Sequence, residues 1–281
     1  MKSNIDKIRK ELTPQFSKRD IESYIRIIFY NLLGYSPIDI IMHDDNELSD
    51  FISSKIDKII AELKQNKPIQ YIFGNTYFHG HQYRVTPDTL IPRPETEELV
   101  DRIIDENSNS DLSLLDIGTG SGAIAISLAM AMKFPIVTAM DISSKALDIA
   151  KQNATTLKAR VNFQLADILT TPPPSKKYDI IVSNPPYICE NEKQAMESNV
   201  LDYEPHLALF VPDNNPLLFY RTIAEFGQKA LKDGGKLYFE INNKYATQTV
   251  NMLQKYGYSQ TELIRDIHNE YRFTSAIKKN D

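Results

Sequence analysis

The sequence predicts an α/β fold, in which a mostly parallel sheet with an antiparallel edge follows a small all-α domain and a linking β-hairpin. From about residue 95, short apolar runs alternate with amphipathic stretches, which is typical of a parallel sheet covered on both faces. Residues 1–67 show helical periodicity instead. Within 68–94, aromatic runs lie between glycines and a proline, which indicates short paired strands. We therefore divide the chain into 1–67, 68–94 and 95–281.

The composition is that of a globular protein, with 42% hydrophobic and 25% charged residues in a chain of 281. No stretch approaches the roughly 20 apolar residues of a membrane span, and the N-terminus lacks an apolar signal core. A single cysteine, Cys189, excludes an internal disulfide and suits a reducing compartment. We expect a cytoplasmic protein without a membrane partner. The net charge of −5 argues against direct nucleic-acid binding.

Two helices are predicted in the N-terminal domain. Asp20 is a suitable N-cap for an apolar stripe over 21–33, and Gly34 is placed to end that helix. A second stripe covers 48–63, and Pro68 is the expected stop. The two stripes are predicted to pack on each other as a small bundle; a partner-binding groove is the alternative.

The remaining elements follow in chain order. Short strands are predicted at 71–73, 77–78 and 82–85, with a hairpin among them. The predicted strands of the main sheet are 112–117, 136–140, 161–165, 178–183, 236–241, 261–264 and 271–277. The predicted helices are 123–132, 143–153, 217–231 and 245–256. The last two strands have no helix between them, so they are expected to form the antiparallel edge.

A glycine-rich run follows the first strand of the main sheet and opens its helix: Gly118, Thr119, Gly120, Ser121 and Gly122. Glycines allow a sharp turn and a close approach of the backbone to a ligand. The Gly-x-Gly-x-Gly spacing differs from the dinucleotide-binding Gly-x-Gly-x-x-Gly, and a glycine loop by itself is a weak signal.

Polar residues also follow the next three strands. Asp141 with Ile142 ends the second strand, where an acid can accept both ribose hydroxyls. For Asp141 taken alone, an N-cap role for the next helix is the alternative. Asp167 and Ile168 follow the third and can meet an adenine with one polar and one apolar group, and Asn184 follows the fourth. The carboxyl edge of an open α/β sheet binds ligands, so the set predicts a nucleoside site.

No lysine or arginine adjoins the glycine loop to hold a phosphate. A phosphate-free nucleoside therefore fits better, and S-adenosyl-L-methionine is the common one. Its product after methyl transfer is S-adenosyl-L-homocysteine. The five histidines show no metal-ligand spacing, so no metal is expected.

The four residues Asn184, Pro185, Pro186 and Tyr187 form the most informative motif. The prolines hold the backbone extended, so that the Asn184 side-chain oxygen and the Pro185 carbonyl can face one point. Two such acceptors can grip an –NH2 group on a planar carbon, and Tyr187 can stack on that plane. Packing alone is the alternative role for Tyr187.

On these motifs, the chain resembles the class I S-adenosylmethionine-dependent methyltransferases, and within them the PrmC/HemK group of peptide chain release factor N5-glutamine methyltransferases. The resemblance extends from Pro68 to the C-terminus. It is carried by the runs Pro68-Ile-Gln-Tyr-Ile-Phe-Gly74, Leu90-Ile-Pro-Arg-Pro-Glu-Thr-Glu97, Leu115 to Ala125, Ser183-Asn-Pro-Pro-Tyr-Ile188, and Glu204-Pro205 with Ala208-Leu209.

The resemblance implies a Rossmann-like class I methyltransferase sheet and a target, the glutamine of a Gly-Gly-Gln loop in release factors. It implies that 118–122, Asp141, Asp167, Ile168 and Asn184 hold the cofactor. By the same resemblance, 184–187 would hold the glutamine amide. The run 210–216 lacks the glycines that the family often has there.

Two other functions stay open from the residues alone. An adenine N6-methyltransferase acting on nucleic acid could present a flipped base to the same acceptors, but it predicts a basic channel. A non-catalytic nucleoside-binding protein would not need the Asn-Pro-Pro-Tyr motif. For Arg93, Glu95 and Thr96, the sequence leaves open whether they close over the cofactor or form a structural corner.

Overall fold

The computed structural model describes residues 1–280, which pack as two compact units. One unit comprises Met1–Gly74 together with Ser198–Tyr203, and the other comprises the remaining described residues. The hairpin that the sequence predicts as a linker belongs to the second unit by its packing.

The first unit is helical. Its helices are α1 (Lys2–Leu12), α2 (Lys18–Leu33), α3 (Pro37–Met42), α4 (Asp50–Leu63) and α5 (Ile69–Phe73). A sixth helix, Ser198–Tyr203, comes from further along the chain and is α9 in chain order. The apolar faces of α1, α2 and α4 form one buried core, which includes Ile8, Ile28, Phe29 and Ile56. The bundle predicted from the two apolar stripes is confirmed.

The ends of these helices differ in part from the prediction. Helix α2 ends at Gly34, with φ 71°, as predicted. The N-cap is Ser17, whose hydroxyl oxygen accepts the Asp20 N–H at 3.2 Å, so the assignment of Asp20 as N-cap is wrong. Helix α4 ends at Leu63 without help from Pro68, which instead precedes α5.

A β-hairpin opens the second unit, as predicted. Strands β1 (Asn75–Phe78) and β2 (His81–Arg84) pair antiparallel, from Asn75 opposite Arg84 to Phe78 opposite His81. The strand predicted at 71–73 is wrong, since these residues lie in α5 and Gly74 ends that helix with φ 71°. The aromatic run reads as a strand by composition, but its length suits a single helical turn equally well.

Helices and strands then alternate through the second unit. The helices are α6 (Pro94–Glu106), α7 (Ala123–Ala131), α8 (Ser144–Leu157), α10 (Leu218–Ala230) and α11 (Ala246–Lys255). The strands are β3 (Ser113–Ile117), β4 (Ile136–Asp141), β5 (Val161–Leu165), β6 (Tyr178–Ser183), β7 (Ile188–Cys189), β8 (Phe210–Val211), β9 (Leu231–Glu240), β10 (Tyr258–Arg265) and β11 (Tyr271–Lys278).

The main sheet has seven strands in the order β10-β11-β9-β6-β3-β4-β5. Strands β9, β6, β3, β4 and β5 are parallel, whereas β11 is antiparallel to both β9 and β10. This confirms the predicted fold class, including its antiparallel edge. The short parallel pair of β7 and β8 lies apart from the main sheet and was not predicted.

Each face of the main sheet is covered by helices. On one face, α6, α7 and the hairpin contribute to a core that includes Leu99, Ile126 and Tyr83. On the other face, α10 and α11 contribute Ile223 and Leu253. Helix α7 is buried around its circumference from Ala123 to Leu128, as its apolar sequence predicts.

Helix α6 is absent from the prediction, although its sequence carries clear signals. Pro94 occupies the first turn, where its missing N–H costs nothing. Leu99, Val100 and Ile103 then fall on one face and are fully buried. Pro92 and Pro94, which flank Arg93, argue against a helix at the sequence level, because proline disfavours the helical conformation of the residue before it.

Candidate active site

A cavity of about 260 Å³ opens at the carboxyl edge of the parallel strands. Chain order reverses between β3 and β6, and an open α/β sheet forms its ligand crevice at such a reversal. Residues at or just after the ends of β3, β4, β5 and β6 line this cavity: Gly118, Gly120, Asp141, Ile142, Asp167, Ile168, Asn184, Pro185 and Pro186. The structure therefore brings most of the predicted site residues together.

The glycine loop contributes two open backbone positions to the cavity. Gly118 and Gly120 have φ of 75° and 56°, a region that L-residues rarely occupy. A Cβ atom built on either glycine would have no neighbour within 4 Å, so side chains there would project into open space. The loop thus lets a ligand reach the backbone.

The other loop residues shape the turn and do not line the cavity. The Thr119 hydroxyl donates to the Asp116 carboxylate at 2.6 Å, and the Ser121 carbonyl accepts the Asn153 side-chain amide at 2.8 Å. A Cβ on Gly122 would lie 2.9 Å from Ile126 Cδ1, so this glycine permits close packing of loop and helix.

Asp116 lies beneath this turn and is almost fully buried. Burial raises the pKa of its carboxyl to about 7, and the Thr119 hydroxyl offsets part of that shift. Asp116 therefore supports the loop from the protein interior and does not line the cavity.

Asp141 connects β4 to the glycine loop. Its carboxylate accepts the Gly120 N–H at 2.8 Å and the Ser143 N–H at 2.9 Å. Burial raises the pKa of Asp141, while these backbone donors favour its charged form. The neighbouring Ile142 is 49% exposed and presents an apolar surface to the cavity. The ribose role of Asp141 stays a prediction.

Asp167 and Ile168 lie in a turn after β5. The Asp167 carboxylate accepts the Leu169 N–H at 2.9 Å, and its carbonyl accepts the Thr171 N–H at 2.8 Å. The turn holds both residues at the cavity wall, where one presents a carboxylate and the other an aliphatic side chain. Their contact with an adenine stays a prediction.

The segment 184–187 leaves β6 along the cavity wall. The Ser183 hydroxyl donates to the Ile117 carbonyl at 2.7 Å, which ties the end of β6 to the end of β3. Asn184 is partly exposed, and no protein group within residues 1–280 hydrogen-bonds its side chain. The cavity therefore contains an amide with its oxygen available as an acceptor.

Tyr187 does not line the cavity. Its hydroxyl donates to the Glu240 carboxylate at 3.1 Å, and its carbonyl accepts the Asn242 side-chain amide at 3.1 Å. Burial, together with the charge of Glu240, raises the pKa of the Tyr187 hydroxyl, which keeps it a hydrogen-bond donor. The stacking role of Tyr187 stays a prediction.

Two further segments line the cavity, and neither was predicted from the sequence to belong to the site. The first is the strap, defined as residues 87–90, and the second includes Pro205, Leu207 and Ala208. Both lie in or beside the runs that carry the family resemblance, which was the available signal. From α10, Phe219 and Ile223 also reach the cavity wall.

The two segments are joined through Glu204, whose side chain is 1% exposed. Its carboxylate pairs with the Arg93 guanidinium and accepts the Ile91 N–H at 3.2 Å. The Thr96 hydroxyl donates to Glu240 at 2.7 Å. Arg93 and Thr96 therefore act as structural connections of the second unit, and neither lines the cavity.

Within residues 1–280, no group of three or more potential acidic, histidine or cysteine ligands could hold a metal ion. No helix in that range is long and apolar enough to cross a membrane.

Comparison with known proteins agrees with this geometry. Residues 96–203 match the family described as Methyltransferase small domain, and residues 7–74 match the PrmC N-terminal domain. A crystal structure of a methyltransferase from Pyrococcus furiosus has the same fold, with a TM-score of 0.52 at 18% identity, over 78% of this chain and 98% of that one. Strand order, glycine loop and cavity define the second unit as a class I S-adenosylmethionine-dependent methyltransferase fold.

Curated relatives define the family more narrowly. A release factor glutamine methyltransferase of Bacteroides thetaiotaomicron is 46% identical over 96% of this chain and 97% of the relative. One of Flavobacterium psychrophilum is 45% identical over 92% of each chain. The chain belongs to the release factor glutamine methyltransferase family.

Proposed function

We propose that this protein transfers a methyl group from S-adenosyl-L-methionine to the side-chain amide nitrogen, N5, of the glutamine in the Gly-Gly-Gln motif of peptide chain release factors. The supporting observation is the Asn184 amide, which faces the nucleoside cavity with no protein partner in the described chain. The names of relatives that match over more than nine-tenths of their length support the glutamine of a release factor as the substrate. The Gly-Gly-Gln motif is what the family resemblance implies.

The residues around the cavity suit a phosphate-free nucleoside. Asp141 offers a carboxylate for hydroxyl groups, Gly118 and Gly120 admit a close approach, and Ile142 and Ile168 supply apolar walls. Neither lysine nor arginine is among the residues that line the cavity. These features favour S-adenosylmethionine over a nucleotide with a pyrophosphate.

When bound, S-adenosylmethionine supplies a methyl group whose bond to sulfur breaks as the glutamine nitrogen bonds to carbon, and S-adenosylhomocysteine leaves with the electron pair. Asn184 Oδ1 and the Pro185 carbonyl oxygen accept hydrogen bonds from the two N–H groups of the glutamine amide. These bonds aim the lone pair of the amide nitrogen at that methyl. The nitrogen releases its proton to water after the new bond has formed, so no strong general base is needed. Positioning of this kind can remove roughly 7–11 kcal/mol of a barrier.

We assign the remaining roles by the same reasoning. Thr119, Ser121 and Gly122 shape the loop, and Asp167 with Ile168 receives the adenine. The N-terminal helical unit recognises the protein substrate. Since that substrate acts in translation, we place the protein in the cytoplasm. Adenine N6-methylation is the competing activity, and the net charge of −5 argues against it.

The test is incubation with S-adenosylmethionine labelled on the methyl group. The acceptors are purified release factor, the same factor with its Gly-Gly-Gln glutamine replaced by glutamate, and duplex and single-stranded DNA. Label on the wild-type factor alone, located by mass spectrometry on the glutamine side chain, is the expected result. Label on DNA would contradict the proposal.

A further inference from the structure

A buried network adjoins the segment 184–187, and its side chains, Thr96, Tyr187 and Glu240, do not line the cavity. Its centre is Glu240, the last residue of β9, which is 2% exposed. One carboxylate oxygen accepts the Thr96 hydroxyl at 2.7 Å and the other accepts the Tyr187 hydroxyl at 3.1 Å. A buried carboxylate is costly unless its oxygens are paired, so this arrangement strongly constrains both donors.

Glu240 lies beside the segment that it holds. Strands β6 and β9 are parallel neighbours in which Ser183 pairs with Phe239. The next residues along the chain are Asn184, just after β6, and Glu240, the last residue of β9. The glutamate is therefore anchored by the sheet at the position where the chain of β6 enters the cavity wall.

Tyr187 is restrained through its hydroxyl and its main-chain carbonyl. The hydroxyl donates to Glu240, and the main-chain carbonyl accepts the Asn242 side-chain amide at 3.1 Å. At the opposite end of the segment, the Ser183 hydroxyl donates a hydrogen bond to the Ile117 carbonyl. Asn184, Pro185 and Pro186 are thus suspended between two fixed ends, and the prolines remove most of the freedom between them.

We infer that Glu240 is a positioning residue for methyl transfer, which acts through the Tyr187 hydroxyl to hold Asn184 Oδ1 and the Pro185 carbonyl in line with the acceptor nitrogen. In this assignment Tyr187 is a strut anchored to Glu240, not a ring stacked on the substrate amide. The inference rests on the proposed function, because it concerns the same two acceptors.

The two possible roles of Tyr187, a strut held by its hydroxyl and a ring stacked on the substrate amide, predict opposite results for one substitution. Tyr187→Phe keeps the ring and removes only the hydroxyl. If the ring stacks on the substrate, this variant retains nearly normal transfer. If the hydroxyl is a strut, the segment loses this anchor, and a displacement of about 1 Å can cost on the order of 10²-fold in rate.

The experiment compares wild type, Tyr187→Phe, Glu240→Gln and the double variant. Single-turnover transfer to the release factor is measured at saturating cofactor, and cofactor affinity by calorimetry. Each single variant is expected to slow transfer by about 10- to 100-fold, with cofactor affinity changed by less than about 3-fold. The double variant should be little slower than either single variant, because both remove one interaction.

Hydrogen–deuterium exchange supplies a readout that does not depend on activity. Peptides that span 183–190 should exchange faster in Tyr187→Phe and Glu240→Gln than in wild type, because the segment opens locally. Tyr258→Phe is the matched control, since this buried tyrosine donates its hydroxyl to the Ala224 carbonyl at 2.9 Å and does not line the cavity. It should leave both transfer and exchange of 183–190 unchanged.

Normal methyl transfer by Tyr187→Phe, or additive losses of transfer rate in the double variant, would overturn the assignment of Tyr187 as a strut. Should wild type label DNA instead of the release factor, the proposed function fails, and the same variants are compared on DNA. A wild type that labels neither acceptor would overturn both proposals.

Discussion

The glycine loop 118–122 and the segment 184–187 follow adjacent strands of one sheet, yet they are held in different ways. Polar groups of the loop are paired with the elements around it: the Gly120 N–H donates to Asp141 of β4, and the Ser121 carbonyl accepts the Asn153 side-chain amide of α8. The segment is held by the hydrogen bonds of Ser183, just before it, and of Tyr187, its last residue. The Asn184 amide between them has no protein partner within residues 1–280.

The difference indicates that the two regions contribute different properties to the cavity. A loop whose groups are already paired offers shape, so it accepts a ligand without rearrangement. A segment with a free amide offers hydrogen bonds, so it contributes most where the reacting atom must be aimed. Substitutions in the segment should therefore affect rate, and substitutions in the loop should affect cofactor affinity and stability.

Asn184→Ala is the most severe test of this division. We expect transfer to fall by on the order of 10²- to 10³-fold, the usual effect of losing one preorganised polar contact. Cofactor affinity should change much less. Single-turnover assays and calorimetry separate the two, and Asn162→Ala, at an exposed position of β5, is the matched control. Normal single-turnover methylation by Asn184→Ala would remove the role assigned to it.

The pH dependence of stability tests the support beneath the loop. Burial raises the pKa of Asp116 to about 7, so the folded protein retains a proton that the unfolded chain releases near pH 4. The corresponding stability is present below that lower value and is lost as the pH rises through about 7.

Asp116→Asn cannot titrate at this position and keeps an oxygen for the Thr119 hydroxyl. Relative to this variant, wild type should lose about 3 kcal/mol of unfolding free energy between pH 5 and pH 8. Urea denaturation at both pH values measures the difference. A constant difference would show that Asp116 has an ordinary pKa in the folded state.

Asp141→Ala tests the connection between loop and ligand. The variant loses a carboxylate that holds the Gly120 and Ser143 backbone and is predicted to bind ribose. We expect cofactor affinity to fall by about 10- to 100-fold, since hydrogen bonds to charged groups contribute roughly 1.5–3 kcal/mol. Calorimetry measures this loss, and Asp148→Ala, whose side chain is 68% exposed, is the control. An unchanged affinity would exclude Asp141 from the ribose site.

Gly122→Ala sharpens the comparison by stability alone. An added Cβ would lie 2.9 Å from Ile126 Cδ1 and 3.1 Å from Ala150 Cβ, so the packing of α7 on α8 must shift. We expect a loss of about 1–3 kcal/mol in unfolding free energy. Gly80→Ala has the same positive φ with nothing within 4 Å, and subtracting its effect isolates the clash from the backbone strain. Equal losses for the two variants would show that no clash occurs.

The reliability of the sequence-based predictions followed the range of the interactions concerned. Sheet strands were predicted well because β3, β4 and β6 are buried apolar runs with a polar end, which is a local property. The aromatic run 71–73 was misassigned because three residues cannot distinguish a strand from a helical turn. Helix α6 was not predicted although its apolar face is regular, because Pro92 and Pro94 disfavour the helical conformation at the residues that precede them.

The prediction of the residues that line the cavity also depended on the sequence range of the interactions that place them there. Glycines and acids at strand ends were identified because the carboxyl edge of a parallel sheet is determined by topology. The strap and the segment that includes Pro205 were not assigned, because they reach the cavity through the pairing of Glu204 with Arg93, which is 111 residues away in the chain.

The sequence by itself determined the fold class, and it predicted the cofactor edge and the acceptor motif, because hydrophobic periodicity and strand-end residues are encoded within a few positions. Only the tertiary structure decided that the Tyr187 hydroxyl donates to Glu240, 53 residues further along the chain, and that neither residue lines the cavity. The physical reason is that a buried carboxylate requires donors, and which donors reach it depends on how the strands are ordered in the sheet.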